Sequence, residues 1–113
     1  MTPEDLIRIR HILDAIKEAL TFSKDKSRED FDNERMLTLA VIKELEIIGE
    51  AAAKITPEFK ITQPHIPWLD IVGMRNHLTH GYFDVDLDLV WITVQEDLPL
   101  LLEQLERMVV DKD

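Results

Sequence analysis

Leu6, Ile9, Leu13, Ile16 and Leu20 recur at steps of three, four, three and four, so in a helix they line one apolar seam. Leu37, Val41, Leu45, Ile48, Ala52 and Ile55 carry the same spacing through a second long segment. Seams of this kind must be buried against other helices, which commits the chain to a bundle. Only three glycines occur in 113 residues, against abundant Leu, Ile, Ala, Glu and Lys, and this composition favours helix throughout.

Local signals divide the seams into elements. Thr2-Pro3-Glu4-Asp5 reads as an N-cap threonine, a proline at the first helical position and an acidic position resembling a capping box. Ser27, with Asp30 three residues later, marks a second start, and the long helix that follows is interrupted near Asn33. Gly49 lies inside that helix at a cost of roughly 1 kcal/mol relative to alanine. With Ala51, Ala52 and Ala53 nearby, it suits the close approach of another helix. Thr56 to Pro67 holds three prolines and reads as the longest irregular connection. A third helix is predicted from Pro67 to His80, with Trp68, Ile71, Val72 and Leu78 inward and Gly81 as its left-handed stop. Asp84 or Asp86 can cap a fourth helix bearing Leu87, Val90, Trp91 and Val94. Pro99 marks a kink or a new start, and Leu98, Leu101, Leu105, Met108 and Val109 line the last segment. The expectation is one all-α domain over residues 1–113, an antiparallel up-and-down bundle of four main helices plus a short fifth.

Charge and composition narrow the chemistry. Cysteine is absent, so there is no disulfide framework, thiolate zinc site or cysteine nucleophile. The N-terminal MTPEDLIRIRHILDAIKEAL has charges throughout and reads as neither a signal peptide nor a membrane span, which makes the cytoplasm the default location. Net charge is −10; from Asp84 onward nine carboxylates face only Arg107 and Lys112. Such a chain repels nucleic acid as a whole, so any RNA or DNA role must rest on a local patch or on a partner.

Residues 75–82, RNHLTHGY, stand apart from this background. In a helix Asn76 and His80 share a face, and Arg75 and Thr79 form the neighbouring row. Arg75 lies five positions before His80, but its long side chain can still reach a phosphate that His80 serves. An imidazole moves protons near neutral pH, and a guanidinium offers a fixed fork of donors to phosphate. Together they suit metal-free phosphodiester chemistry, with His80 taking a 2′-hydroxyl proton while Arg75 steadies charge on the phosphate oxygens. A structural explanation is open at this point: a histidine near a helix C-terminus is favoured by the macrodipole, and Arg75 can pair with Asp70 or Asp84. His77 suits solvent or a partner surface, and Tyr82 a packed ring with a bonded hydroxyl. No metal site is expected. His77 and His80 have no third ligand set by spacing, and the Asp84, Asp86, Asp88 run fails as a calcium loop because Leu89 and Gln95 occupy its glycine and glutamate positions. With serine only at 23 and 27 and no Gly-rich loop, serine-hydrolase and P-loop chemistry are not supported.

The run IPWLDIVGMRNHLTHGYFDVDLDLVW, residues 66–91, resembles the signature region of HepT-like proteins, a branch of the HEPN (higher eukaryotes and prokaryotes nucleotide-binding) superfamily. The upstream ELEIIGEAAAKI resembles that family's second-helix block. The resemblance implies a HEPN-like helical fold and the ribonuclease toxin of a prokaryotic type VII-like toxin–antitoxin pair, with no cofactor. It implies a homodimer in which two Arg-x4-His motifs face a shared cleft and cleave RNA to a 2′,3′-cyclic phosphate without metal. Arg75 would stabilise the phosphate, His80 would be general acid or base, and Asn76 would orient one of them. Tyr82 completes the Arg-x4-His-x-Tyr pattern and would receive AMP from an MntA-like minimal nucleotidyltransferase antitoxin. A different class of reading is a non-catalytic subunit that binds substrate or nucleotide for such a transferase, and a third is a bundle whose charges are only structural.

Overall fold

A computed structural model describes residues 1–79 and 85–110, with the backbone alone at 75–77, 79 and 110. The helices are α1 (Pro3–Ser23), α2 (Arg28–Asn33), α3 (Arg35–Lys54), α4 (Pro57–Thr62), α5 (Trp68–Thr79), α6 (Leu87–Ile92) and α7 (Leu98–Val110). A π-helical turn over Thr93–Asp97 joins α6 to α7 without a break. The four main rods are therefore α1, α3, α5 and the α6–α7 unit. α3 packs against α1 and α5, and α1 in turn against α7.

The capping signals act as the sequence predicts. Thr2 accepts from the Asp5 amide at 3.0 Å, with Pro3 in the first turn. Ser27 and Asp30 form a reciprocal capping box on α2. Between α1 and α2 the chain turns through Asp25 at φ 62°, a left-handed position that aspartate tolerates better than bulky residues. The interruption near Asn33 falls at Glu34, where the Thr38 hydroxyl reaches back to the Phe31 carbonyl at 2.5 Å and satisfies the end of α2. The seams meet in the middle of the fold. Ile9, Leu13 and Ile16 of α1 and Val41, Leu45, Ile48 and Ala52 of α3 are buried together, while Leu6, Leu20 and Leu37 at the seam ends are partly covered. Each large side chain so buried contributes about 1.5–3 kcal/mol of transfer free energy. Gly49 is buried with Ala51 and Ala52 on α3, which packs against both α1 and α5.

One expectation needs correction. The connection from Thr56 to Pro67 is not wholly irregular, because Pro57–Thr62 is the short helix α4. Thr56 caps it through the Phe59 amide at 3.3 Å, and Phe59 is buried. Thr56-Pro57 repeats the Thr2-Pro3 signature, so the proline opens a helix rather than preventing one. Pro99, read as a kink or a new start, falls in the first turn of α7, which opens at Leu98. A proline inside a helix has no N–H and crowds the carbonyl four residues back. Here the preceding turn widens, with the Leu98 amide bonding the Thr93 carbonyl, and the helix runs on through Leu98, Leu101 and Leu105, all buried.

Candidate functional site

The site helix, α5, starts from a fixed anchor. Trp68 is buried, its indole Nε1 donates to the Gln63 carbonyl at 3.1 Å, and Lys60 Nζ lies 5.9 Å from the ring centroid. From there Leu78 is fully buried and Ile71, Val72 and Met74 pack partly against the core. Met74 was not among the inward positions expected, because a methionine beside Gly73 and Arg75 breaks the visual run of aliphatic residues.

α5 brings Arg75 and Asn76 onto its last turns. Along the helix, position 75 follows Ile71 by four and precedes Leu78 by three. At about 100° per residue, position 75 is about 140° around the helix from exposed Asp70, which places these two positions on different faces. Position 76 continues another row, running up from Leu69 and Gly73. Leu69 is 89% exposed, and a methyl group added at Gly73 would meet nothing within 4 Å. One side of the site helix is thus apolar or bare, and uncovered. His80, Gly81, Tyr82 and Asp84 lie outside the described residues, as do the side chains of Arg75, Asn76 and His77.

The chain re-enters the described structure at Val85 and is held firmly there. Asp86 caps α6 by accepting from the Asp88 and Leu89 amides at 3.0 and 3.2 Å. Phe31 of α2 stands edge-on to Trp91, with centroids 5.3 Å apart and rings at 90°. Arg28 of the same short helix donates to Asp88 at 2.7 Å. The segment that carries His80 and Tyr82 is therefore flanked by two anchored helices, α5 on one side and α6 on the other.

Two clefts border these elements. One, about 340 Å³, lies between α3, α5 and α7 and is lined by Ile71, Met74, Leu98 and Leu101, with Asp70 and Asp97 also in its lining. The other, about 570 Å³, lies between α3 and the start of α6, where Arg35 and Lys43 meet Leu39, Val85 and Leu87. Among the described residues, no three His, Asp or Glu side chains come together as a metal site. No helix there is long and apolar enough to cross a membrane.

The buried state of Glu44 and the long-range partner of Asp5 escaped the sequence reading. Glu44, only 5% exposed on α3, is pushed up to about 7, first by burial and then by the charge and hydrogen bond of Glu18 on α1. Its signal was legible in principle, since Glu44 falls three after Val41 and four before Ile48, inside the seam. Asp5 is also buried, and its carboxylate accepts from the Thr56 amide at 2.9 Å and hydroxyl at 2.7 Å. Burial raises its pKa, but the hydrogen bonds from Thr56 and Thr2 outweigh that and hold it below the ordinary carboxylate value. The capping pattern at Thr2 marks Asp5 locally, but its hold on Thr56 does not show in the sequence, because that partner is 51 positions away.

Comparison with known proteins agrees with the signature region. Residues 12–108 match the family described as "Ribonuclease HepT-like". "Putative RNase MJ1380" of Methanocaldococcus jannaschii is 41% identical over 95 residues, covering 84% of this chain and 87% of that protein. "Probable ribonuclease HepT" of Thermococcus cleftensis is 40% identical over 100 residues, covering 88% and 91%. "Putative RNase TTE0752" of Caldanaerobacter subterraneus is 36% identical over 101 residues, covering 89% and 90%. No solved structure matches the chain.

Proposed function

This chain belongs to the HepT-like ribonuclease family, and from that premise we propose that it is a metal-independent endoribonuclease, the toxin of a toxin–antitoxin pair. The observation that carries the reading is the placement of Arg75 and Asn76 on the last turns of α5, with His80 following at the Arg-x4-His spacing. The 2′-hydroxyl of RNA attacks the adjacent phosphorus and expels the 5′-oxygen, leaving a 2′,3′-cyclic phosphate. His80 moves the proton, Arg75 stabilises the charge that grows on the phosphoryl oxygens, and Asn76 orients one of the two.

The active form in this reading is a homodimer with two motifs at one cleft. Support for it comes from the α5 row of Leu69 and Gly73, whose uncovered surface leads to position 76. Tyr82, two residues past His80, is where a minimal nucleotidyltransferase partner attaches AMP. The added phosphate would occupy Arg75 and repel RNA, switching the cleft off. Tyr82→Phe should therefore keep cleavage and lose modification.

The test is cleavage of end-labelled RNA by the purified protein in EDTA. Wild type should leave cyclic-phosphate ends, and Arg75→Ala and His80→Ala should each lower the rate by about 10²–10⁴-fold while remaining folded. Absence of cutting by folded, unmodified protein on varied RNAs would leave a non-catalytic binding subunit as the better account.

A further inference from the structure

We propose that Arg35 and Lys43 of α3 form a track for the RNA backbone, holding phosphates to one side of the scissile bond. This rests on the ribonuclease reading and adds substrate-binding residues outside the motif.

The track follows from charge and helix geometry. Arg35, Leu39 and Lys43 are spaced at i, i+4 and i+8, one row on α3 that spans about 12 Å. All three are exposed and line the same cleft. The chain carries −10 overall, so two cations on one open wall make a local exception of the kind an RNA-binding acidic protein needs. Arg35 has no ion-pair partner among the described residues, and Lys43 lies 3.8 Å from Glu46, at the long limit of a pair. The carboxylate in the cleft wall, Asp32, is already engaged by Arg28 at 3.1 Å. Both cations remain available to phosphate. The cleft beside α5 offers the opposite field, with Asp70 and Asp97 in its lining.

Position relative to the motif completes the case. The far wall of the cationic cleft is made by Val85 and Leu87. Val85 follows His80 by five residues, and five residues of chain span at most about 18 Å. A strand whose phosphate lies at His80 thus reaches the track within a few nucleotides. Leu39 and Val85 give sugars and bases an apolar floor, which carries no sequence code.

The experiment measures steady-state cleavage of a single-stranded RNA oligonucleotide, and of two others with unrelated sequences, across a salt series. Arg35→Ala and Lys43→Gln should each raise KM by about 3- to 10-fold, similarly on all three RNAs, with kcat falling less than twofold. The log–log dependence of KM on salt should become shallower by about 0.7 per cation removed. Lys43→Glu should be worse than Lys43→Gln, and Lys17→Ala, an exposed lysine of α1, should match wild type. If wild type cuts RNA while both variants keep its KM and salt dependence, the track is wrong and the ribonuclease reading stands. An effect confined to one RNA sequence would also overturn it, since a backbone track is blind to bases. If wild type neither cuts nor binds these RNAs, the ribonuclease reading fails and takes the track with it. Two variants at separate positions, each checked by circular dichroism, keep a folding defect in one from deciding the outcome.

Discussion

Phe31 and Trp91 meet edge to face at 5.3 Å, and through this contact the short helix α2 fixes the start of the helix that follows the Arg-x4-His segment. Phe31 is almost wholly buried, whereas the nearby Arg28–Asp88 pair is exposed and contributes little to stability. Phe31→Ala should cost about 3–4 kcal/mol in urea denaturation, and Phe31→Leu nearer 1 kcal/mol. On the proposed ribonuclease reading, RNA cleavage by the Leu variant should fall more than its stability loss explains, because α6, which follows the Arg-x4-His segment, is loosened. Equal losses in the two measurements would reduce α2 to a structural brace.

Glu44 makes folding stability depend on pH in the direction opposite to most carboxylates. Its folded value of about 7 lies above its ordinary value of 4.5, so its contribution is full below about pH 4.5 and is lost as pH rises through 7. The loss should be on the order of 2 kcal/mol. Glu44→Gln keeps the hydrogen bond to Glu18 and should remove this slope, leaving the variant more stable than wild type at pH 8. Chemical denaturation at pH 5 and pH 8 decides it; parallel curves for both proteins would mean that Glu44 titrates normally.

Asp5 acts with the opposite sign. Its depressed folded value gives stability above the ordinary carboxylate range that disappears as pH falls through the folded value. A double-mutant cycle of Asp5→Asn and Thr56→Val should show a coupling of about 1–3 kcal/mol at pH 7. The same coupling should shrink in acid. Additive effects at pH 7 would show that the two ends of the bundle are not joined there.

Leu69 tests the proposed dimer face. An apolar side chain with 89% of its surface in solvent contributes almost nothing to the protomer's own stability. Leu69→Arg should therefore leave the protomer's thermal unfolding nearly unchanged and shift sedimentation from dimer towards monomer, with cleavage falling in parallel. A dimer that survives this substitution would have to use another face.

Much of the fold was legible because its signals are local. The Thr2-Pro3 and Ser27–Asp30 caps, the α1 and α3 seams and the Asp86 cap each depend on residues within one or two helical turns. α4 was missed for the converse reason. Six residues cannot hold a helix alone against the cost of nucleation, so Pro57–Thr62 exists through burial of Phe59 and the hold of Asp5 on Thr56. The candidate site was legible as spacing and resemblance, in Arg75, Asn76, His80 and Tyr82. Its surroundings were not: Arg35 and Lys43 look like ordinary surface charges until α3 sets them opposite Val85.

The sequence by itself determined the class of fold, the caps that open α1, α2 and α6, and the family, since apolar periodicity, caps and a contiguous motif all act over short stretches of chain. Only the tertiary structure decided which charges are buried and which line a cleft. The pairing of Asp5 with Thr56, the Glu18–Glu44 contact and the cationic wall facing Val85 join residues distant in sequence, and they form when packed helices remove water and bring those side chains together.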